Sequence, residues 1–246
     1  MGALRGSPGR SRWRTVGIIG GMGPAATVDF MARLVAVTPA STDQEHIPVV
    51  VWSDPTVPDR VAAVRGQGAS PVPWMRAGVE GVTQLGAQVV AVACNTAHVF
   101  LEESTAGVDV EVVSMVEAAA LALEEAGAAE GRVLLLGTRG LVEADLYQRA
   151  LGEHGIEAAV PDDPGQEALS ALILRVKAAE PAAALAGELV DLVAGPTGRG
   201  CSHVLLACTE LSVLAAQAHR DGLGFGAVVV DSSDALARAV VRAAAG

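Results

Sequence analysis

The 246-residue sequence predicts an α/β fold of parallel strands covered by helices, and three observations carry that expectation. Short apolar runs alternate with amphipathic runs along almost the whole chain. Runs such as VVAVA and RVLLLG lack the period-two alternation of a half-exposed strand. They read as strands buried on both faces, which is the pattern of a parallel sheet under helices. One strand-and-loop unit also occurs twice: QVVAVACNTAH ends at His98 and SHVLLACTELS ends at Ser212, with their Ala-Cys pairs 114 residues apart.

Strands are expected at 15–20, where TVGIIG runs into a glycine loop, and at 48–52, an apolar run opened by a proline. They continue at 88–94, 110–114, 132–137, 157–160, 202–208 and 227–231. Between them, amphipathic periodicity predicts helices at 25–37, 73–85, 141–154, 167–179 and 182–193. The repeated cysteine unit suggests two similar halves. Their boundary is expected within 117–131, a helical pattern followed by a Gly-rich connection. On this reading the first half comprises 15–118 together with a returning strand and helix at 226–246, and the second half comprises 119–225. One continuous sheet is the alternative. Residues 1–14 hold four arginines and three glycines and read as a flexible tail outside the fold.

Half the residues are apolar, yet aromatics make up only 3%, so Ala and Val must fill the core. No apolar stretch reaches the roughly 20 residues of a membrane span. The N-terminus has no apolar signal region, and Gly6 stands where a myristoylation motif needs Ser or Thr. A formal net charge of −11 with no basic stripe argues against a nucleic-acid partner. Three cysteines without an export signal point to a reducing cytoplasm. No CxxC, HExxH or helically spaced histidine pair suggests a metal.

The loop GGMGPAAT after the first strand satisfies a loose G-x-G-x-x-A dinucleotide pattern through Gly21, Gly23 and Ala26. Pro24 removes one amide donor from that turn, and Asp43 precedes the second strand instead of ending it. A tight turn with Pro24 at the first helical position is the plainer reading. Its functional counterpart is a close backbone wall for a small ligand.

Cys94 and Cys208 each stand where a strand hands over to a helical pattern, the place where open α/β sheets present ligand-contacting groups. A lone cysteine on an apolar strand is usually a small core residue. Two in matched contexts read instead as an acid/base pair. A following helix N-terminus favours thiolate and anion alike. Asn95, Thr96 and Thr209 add polar donors, whereas Cys201 lacks such a context and reads as inert.

The stretches GIIGGMGPAAT, DQEHIPV, SDPTVPDR, ACNTAH, ACTELS and VVVDSSDALARA together resemble the cofactor-independent aspartate/glutamate racemase superfamily, closest to its aspartate racemase branch. The resemblance implies two pseudo-symmetric Rossmann-like domains with the active site in the cleft between them. It also implies a homodimer, no cofactor and a small, acidic amino-acid substrate. By motif, Cys94 and Cys208 become base and acid on opposite faces of Cα. Each sulfur should then sit about 3–3.5 Å from that carbon, which puts the pair roughly 7 Å apart. The resemblance gives Arg60 and Lys177 to substrate binding, with Asn95 and Thr96 on the α-carboxylate. Met22, Ser53, Thr138 and Thr209 line the site, and Glu210 is positioned to tune Cys208.

Two positions depart from the family pattern. Many aspartate racemases carry A-T-x-G-T after the fifth strand, with the second threonine on a carboxylate. Here Gly137-Thr138-Arg139-Gly140-Leu141 puts a leucine there, and Glu143 stands where a small or basic residue is common. Leu141 thus offers an apolar hand to the substrate on this reading, and a less acidic substrate becomes conceivable. The competing readings are a superfamily decarboxylase or cis–trans isomerase using the same enediolate chemistry, and a two-lobed binding protein.

Overall fold

A computed structural model describes residues 12–128, 131–195 and 200–246. Its strands are β1 (Val16–Gly20), β2 (Val49–Ser53), β3 (Val89–Val92), β4 (Glu111–Val113), β5 (Arg132–Gly137), β6 (Glu157–Ala159), β7 (Cys201–Ala207) and β8 (Val228–Asp231). All eight fall where the apolar runs predicted them. They form two four-stranded parallel sheets, β2-β1-β3-β4 and β6-β5-β7-β8, in place of one continuous sheet. The order is the same in both, so the pseudo-symmetry read from the cysteine repeat is a property of the fold. The central strands are buried throughout their apolar runs: VGIIG and VVAV have no exposed residue. This explains why they carry no period-two alternation.

The helices are α1 (Pro24–Val37), α2 (Arg60–Val64), α3 (Val72–Gln84), α4 (Leu101–Thr105), α5 (Met115–Glu125), α6 (Arg139–Glu143), α7 (Leu146–Glu153), α8 (Asp163–Lys177), α9 (Ala182–Ala194), α10 (Thr209–Arg220) and α11 (Ser232–Ala245). The single helix expected at 141–154 is two. Thr138 caps α6, and Asp145 in the left-handed region (φ 56) turns the chain before α7, so Tyr147 and Leu151 can point into the core. The helix expected from 167 starts earlier. Asp162 accepts the Gly165 N–H at 2.9 Å, and Pro164 lies in the first turn.

The assignment of 226–246 to the first half needs correction. Strand β8 pairs with β7 in register from His203–Val228 to Leu206–Asp231, so it belongs to the second sheet. Helix α11 does return: Leu236, Ala237, Val240 and Ala244 pack with Val16, Phe30 and Val89 of the first core. Helix α5 does the reverse. It leaves the first sheet after β4, and its Ala119 and Leu123 pack with Val133, Leu135 and Tyr147 of the second core. Each half therefore completes its core with a helix from the other. Composition cannot reveal such an exchange, because Ala/Leu/Val faces suit either sheet.

The expected tail ends sooner than residue 14. Trp13 is 9% exposed within the first core and donates from Nε1 to the Glu45 carbonyl at 2.6 Å, while Arg14 N–H reaches the Ala244 carbonyl. The rest of that segment, residues 1–11, lies outside the described residues. Among the described residues no helix is long and apolar enough to cross a membrane.

A second tie between the halves sits behind the cleft. Arg33 on α1 reaches Asp29, Asp231 and Asp234 at 2.5, 2.9 and 2.6 Å, and donates to the Ser212 carbonyl at 3.0 Å. Asp231 is held in turn by Ser212 Oγ at 2.6 Å and the Ser233 N–H at 2.8 Å. Burial raises the Asp231 pKa and the Arg33 charge opposes that rise.

Candidate active site

The C-terminal ends of β1 and β3 in one sheet, and of β5 and β7 in the other, face a common cavity. In both sheets the strand order reverses between these central strands, which is the switch point where α/β sheets bind ligands. The cavity is lined by Met22 after β1, Cys94, Asn95 and Thr96 after β3, Thr138 after β5, and Cys208, Thr209 and Glu210 after β7. Asp59, Arg60 and Val61 enter from α2 and its cap, and Lys177 from the end of α8. Its free volume is about 10 Å³, room for roughly one water. Beside it a wider cavity of about 340 Å³ shares Asp59, Val61, Thr138 and Lys177 and adds the aliphatic wall of Ile173 and Leu174.

Ten of the eleven residues singled out from the sequence thus converge. Ser53 does not: it ends β2 exposed, pairs with Gly20, and is absent from the cavity wall. Strand β2 is the sheet edge, one place removed from the switch point. Leu141 is also corrected as an apolar hand. It sits on the inward face of α6, fully buried in the second core with Leu135 and Tyr147, and does not reach the cavity. Its backbone N–H donates to Thr138 Oγ1 at 3.2 Å, the cap that starts α6. Glu143 likewise turns away, to Arg65 at the C-cap of α2, with 2.7 and 2.5 Å contacts in bidentate form. Both side chains are more than a third exposed, so that pair contributes little stability.

The glycine loop forms a close wall. Gly21 is left-handed (φ +88), and a Cβ there would fall 2.4 Å from the Asp54 backbone. Gly23 brings the loop close to the other half, because a Cβ there would lie 3.1 Å from Glu210 Oε1. Pro24 opens α1 as the turn reading anticipated. With Gly21 packed on Asp54 and Gly23 on Glu210, the loop serves packing and site closure.

The two thiols are both buried, Cys94 6% and Cys208 4% exposed, but their settings differ. Cys208 is the N-cap of the twelve-residue helix α10 and donates its S–H to Glu210 Oε2 at 3.1 Å. Burial pushes the Cys208 thiol well up, the Glu210 carboxylate adds to the rise, and Lys177 opposes it. Desolvation and the Glu210 carboxylate thus act against the thiolate that a helix N-terminus was expected to favour. Cys94 is followed by a 3-10 turn over Thr96–Phe100, and α-helix begins only at Leu101, so no α-helix starts at this thiol.

Cys94 is held through a residue the sequence reading quoted but did not single out. His98 bonds the Cys94 carbonyl through Nδ1 at 2.9 Å and accepts the Met115 N–H at Nε2 at 3.0 Å. Since Nε2 accepts, Nδ1 carries the proton. Burial lowers the His98 pKa to about 4, so the ring stays neutral in this role. Its signal was the histidine four residues after a strand-end cysteine. Asp59 was also missed, although the Pro-Asp-Arg start signal was legible: its carboxylate accepts the Ala62 N–H at 2.7 Å and starts α2.

Arg60 is the one guanidinium on the cavity wall. Nη1 donates to the Val57 and Pro58 carbonyls at 3.1 and 3.0 Å, and Nη2 donates to the Met22 carbonyl at 3.1 Å. Its Nε is buried with no partner, and among the described residues no carboxylate pairs with it. The Nε–H and one Nη2–H are therefore unused, and Nε and Nη2 are the two nitrogens with which arginine grips a carboxylate side-on. Thr96 Oγ1 and Thr138 Oγ1 meet at 2.8 Å, a hydroxyl contact joining the halves at the cavity. Among the described residues no group of three His, Cys, Asp or Glu side chains is placed to hold a metal ion.

This arrangement gathers a guanidinium, an ammonium group and several polar donors around two buried sulfurs, one from each half. Comparison with known proteins agrees. A family model described as Asp/Glu/hydantoin racemase matches residues 19–240. The chain is 26% identical over 236 residues to the broad specificity amino-acid racemase RacX of Bacillus subtilis (strain 168), covering 92% of this chain and 96% of that protein. An aspartate racemase structure from Picrophilus torridus is similar with a TM-score of 0.82 and 31% identity, covering 94% of each chain. The glutamate racemase isoform RacE1 from Bacillus anthracis, 17% identical, shares the fold with a TM-score of 0.62 over 91% of this chain and 79% of that one.

Proposed function

Because the chain belongs to the Asp/Glu/hydantoin racemase family and is an amino-acid racemase, we propose that it interconverts the enantiomers of an acidic amino acid, aspartate or glutamate, by two-thiol proton transfer without a cofactor. The observation that carries this reading is the pair of buried thiols, one from each half, on the wall of one cavity that also holds a guanidinium with two unused donors.

In the proposed step one sulfur, as thiolate, takes the proton from Cα. The C–H electron pair moves into the carboxyl group, giving an enediolate-like dianion. The other sulfur, as thiol, delivers its proton to the opposite face of the carbon and becomes the thiolate. The α-proton is only weakly acidic, so the barrier depends on stabilising the charge that develops on the carboxylate oxygens. Fixed donors in a water-poor site supply that stabilisation. Asn95, Thr96 and Thr209 are the polar groups beside the thiols, and α10 directs its N-terminus there. Arg60 takes a carboxylate side-on. The substrate side chain extends toward Lys177, where the wider cavity adjoins. Glu210 keeps Cys208 protonated in the free enzyme.

The reading is tested by incubating the reduced enzyme in D2O with each enantiomer of an amino-acid panel, without added pyridoxal phosphate, and following the α-proton by NMR. Exchange with aspartate or glutamate together with appearance of the opposite enantiomer is expected. Exchange confined to neutral amino acids overturns the acidic substrate, and no exchange with any overturns the two-thiol reaction.

The Glu210 role has its own signature. The thiol pair must carry one proton to work, so the high-pH limb of kcat/KM reports loss of that last proton. Glu210 raises the Cys208 pKa, and removing its charge lowers it. In Glu210→Gln the high-pH limb therefore moves to lower pH. It moves equally for both enantiomers, whose kcat/KM values must match because racemisation has an equilibrium constant of one. An unmoved limb in that variant refutes the assignment.

A further inference from the structure

Asn95 lies between Cys94 and Thr96 on the cavity wall, yet its side chain is tied to two residues remote in sequence. Tyr147 on α7 donates its hydroxyl to Asn95 Oδ1 at 2.6 Å. Asn95 Nδ2 donates to Ser232 Oγ, the first residue of α11, at 3.0 Å. The Asn95 amide is thereby anchored at both ends, its oxygen to α7 and its nitrogen to α11. Tyr147 and Ser232 are fully buried, and Asn95 is 2% exposed. The two anchors come from the second half of the chain and from the helix exchanged between halves, while Asn95 belongs to the first sheet's switch point.

The two anchors have a definite consequence for the amide. A carboxamide offers one oxygen and two N–H donors. The anchors engage the oxygen and one N–H, so one N–H is the only donor left. Rotation about the Cβ–Cγ bond would break two buried hydrogen bonds at once. A free asparagine would rotate and offer a carboxylate either its N–H or its repulsive oxygen.

We propose that Tyr147, with Ser232, is a positioning residue for the racemisation: it locks the Asn95 amide so that its remaining N–H is presented to the substrate carboxylate. The proposal rests on the reading of Asn95 as a carboxylate donor in the proposed function. Tyr147 touches no substrate. It acts through Asn95, and because it sits on α7 it makes the donor's aim depend on how the two halves are assembled.

The test is a cycle of Asn95→Ala, Tyr147→Phe and the double variant, read as kcat and KM for aspartate and glutamate. Tyr147→Phe keeps the ring that fills the core and removes only the hydroxyl. It is expected to raise KM or lower kcat so that kcat/KM falls about tenfold, the worth of one hydrogen bond to a charged group. In the Asn95→Ala background the same change should have no further effect on kcat/KM. A purely structural role would lower the thermal midpoint while leaving kcat and KM unchanged at temperatures well below it. That result, or additive losses in the double variant, overturns the proposal. An Asn95→Ala enzyme with unchanged kcat/KM overturns the prior reading of Asn95, and the two failures are thereby distinct. If Tyr147→Phe does not fold, Ser232→Ala removes the other anchor of the same amide and is judged by the same cycle.

Discussion

Replacing Cys94 or Cys208 with serine is expected to lower racemisation by at least about a thousandfold in each single variant, within the range that removal of a general acid or base costs. The side chains are nearly isosteric and both sites are buried, so the fold should be kept, and a serine hydroxyl at 208 can still donate to Glu210. What is lost is acidity: a hydroxyl neither supplies a proton as readily nor exists as its anion near neutral pH, whereas a thiol with a pKa near 8.5 can do both. The residual chemistry separates the roles. Each variant keeps one sulfur on one face of the carbon. In D2O it should therefore wash the α-proton out of a single enantiomer without inversion, and the two variants should choose opposite enantiomers. NMR and chiral chromatography read both quantities. Full activity in either variant, or exchange of both enantiomers by one variant, would sink the two-base reaction.

Arg60→Ala is expected to reduce kcat/KM for aspartate and glutamate by about 10²–10³-fold, the cost of a paired set of charge-assisted hydrogen bonds. The loss for an amino acid with a neutral side chain should be far smaller, since its single carboxylate is held by the groups beside the thiols. The guanidinium also braces the loops at Met22 and Val57–Pro58 through three carbonyl contacts. Arg60→Lys therefore belongs in the same experiment. A lysine retains the charge but not the fork, and it should recover little activity. Thermal unfolding of both variants measures the bracing separately from binding. An equal loss for acidic and neutral substrates would mean that Arg60 does not read the side chain.

Much of this site was legible before the fold. The cysteine repeat located two strand ends, and a parallel sheet puts its ligand groups at such ends whatever the details of packing. Arg60, Asn95, Thr96, Thr138 and Lys177 followed from the resemblance of short motifs to a known family, and all line the cavity. Ser53 and Leu141 show where motif matching stops. A motif match gives sequence position only, whereas side-chain direction reverses or rotates with every step along a strand or helix. Ser53 ends an edge strand exposed, and Leu141 faces the core.

By itself the sequence determined the strands, the parallel arrangement, the doubling of the fold and the kinds of chemical group at the cleft. These follow from local apolar patterning and from residue identity. The tertiary structure alone decided the exchange of α5 and α11 between the cores, the raised pKa of Cys208 beside Glu210, the neutral tautomer of His98 and the two anchors that fasten Asn95 to Tyr147 and Ser232. The physical reason is common to all four. Each depends on desolvation and on distances between groups that are, with the exception of Cys208 and Glu210, far apart along the chain. Even in that pair, burial decides the charge state, and no local pattern encodes burial.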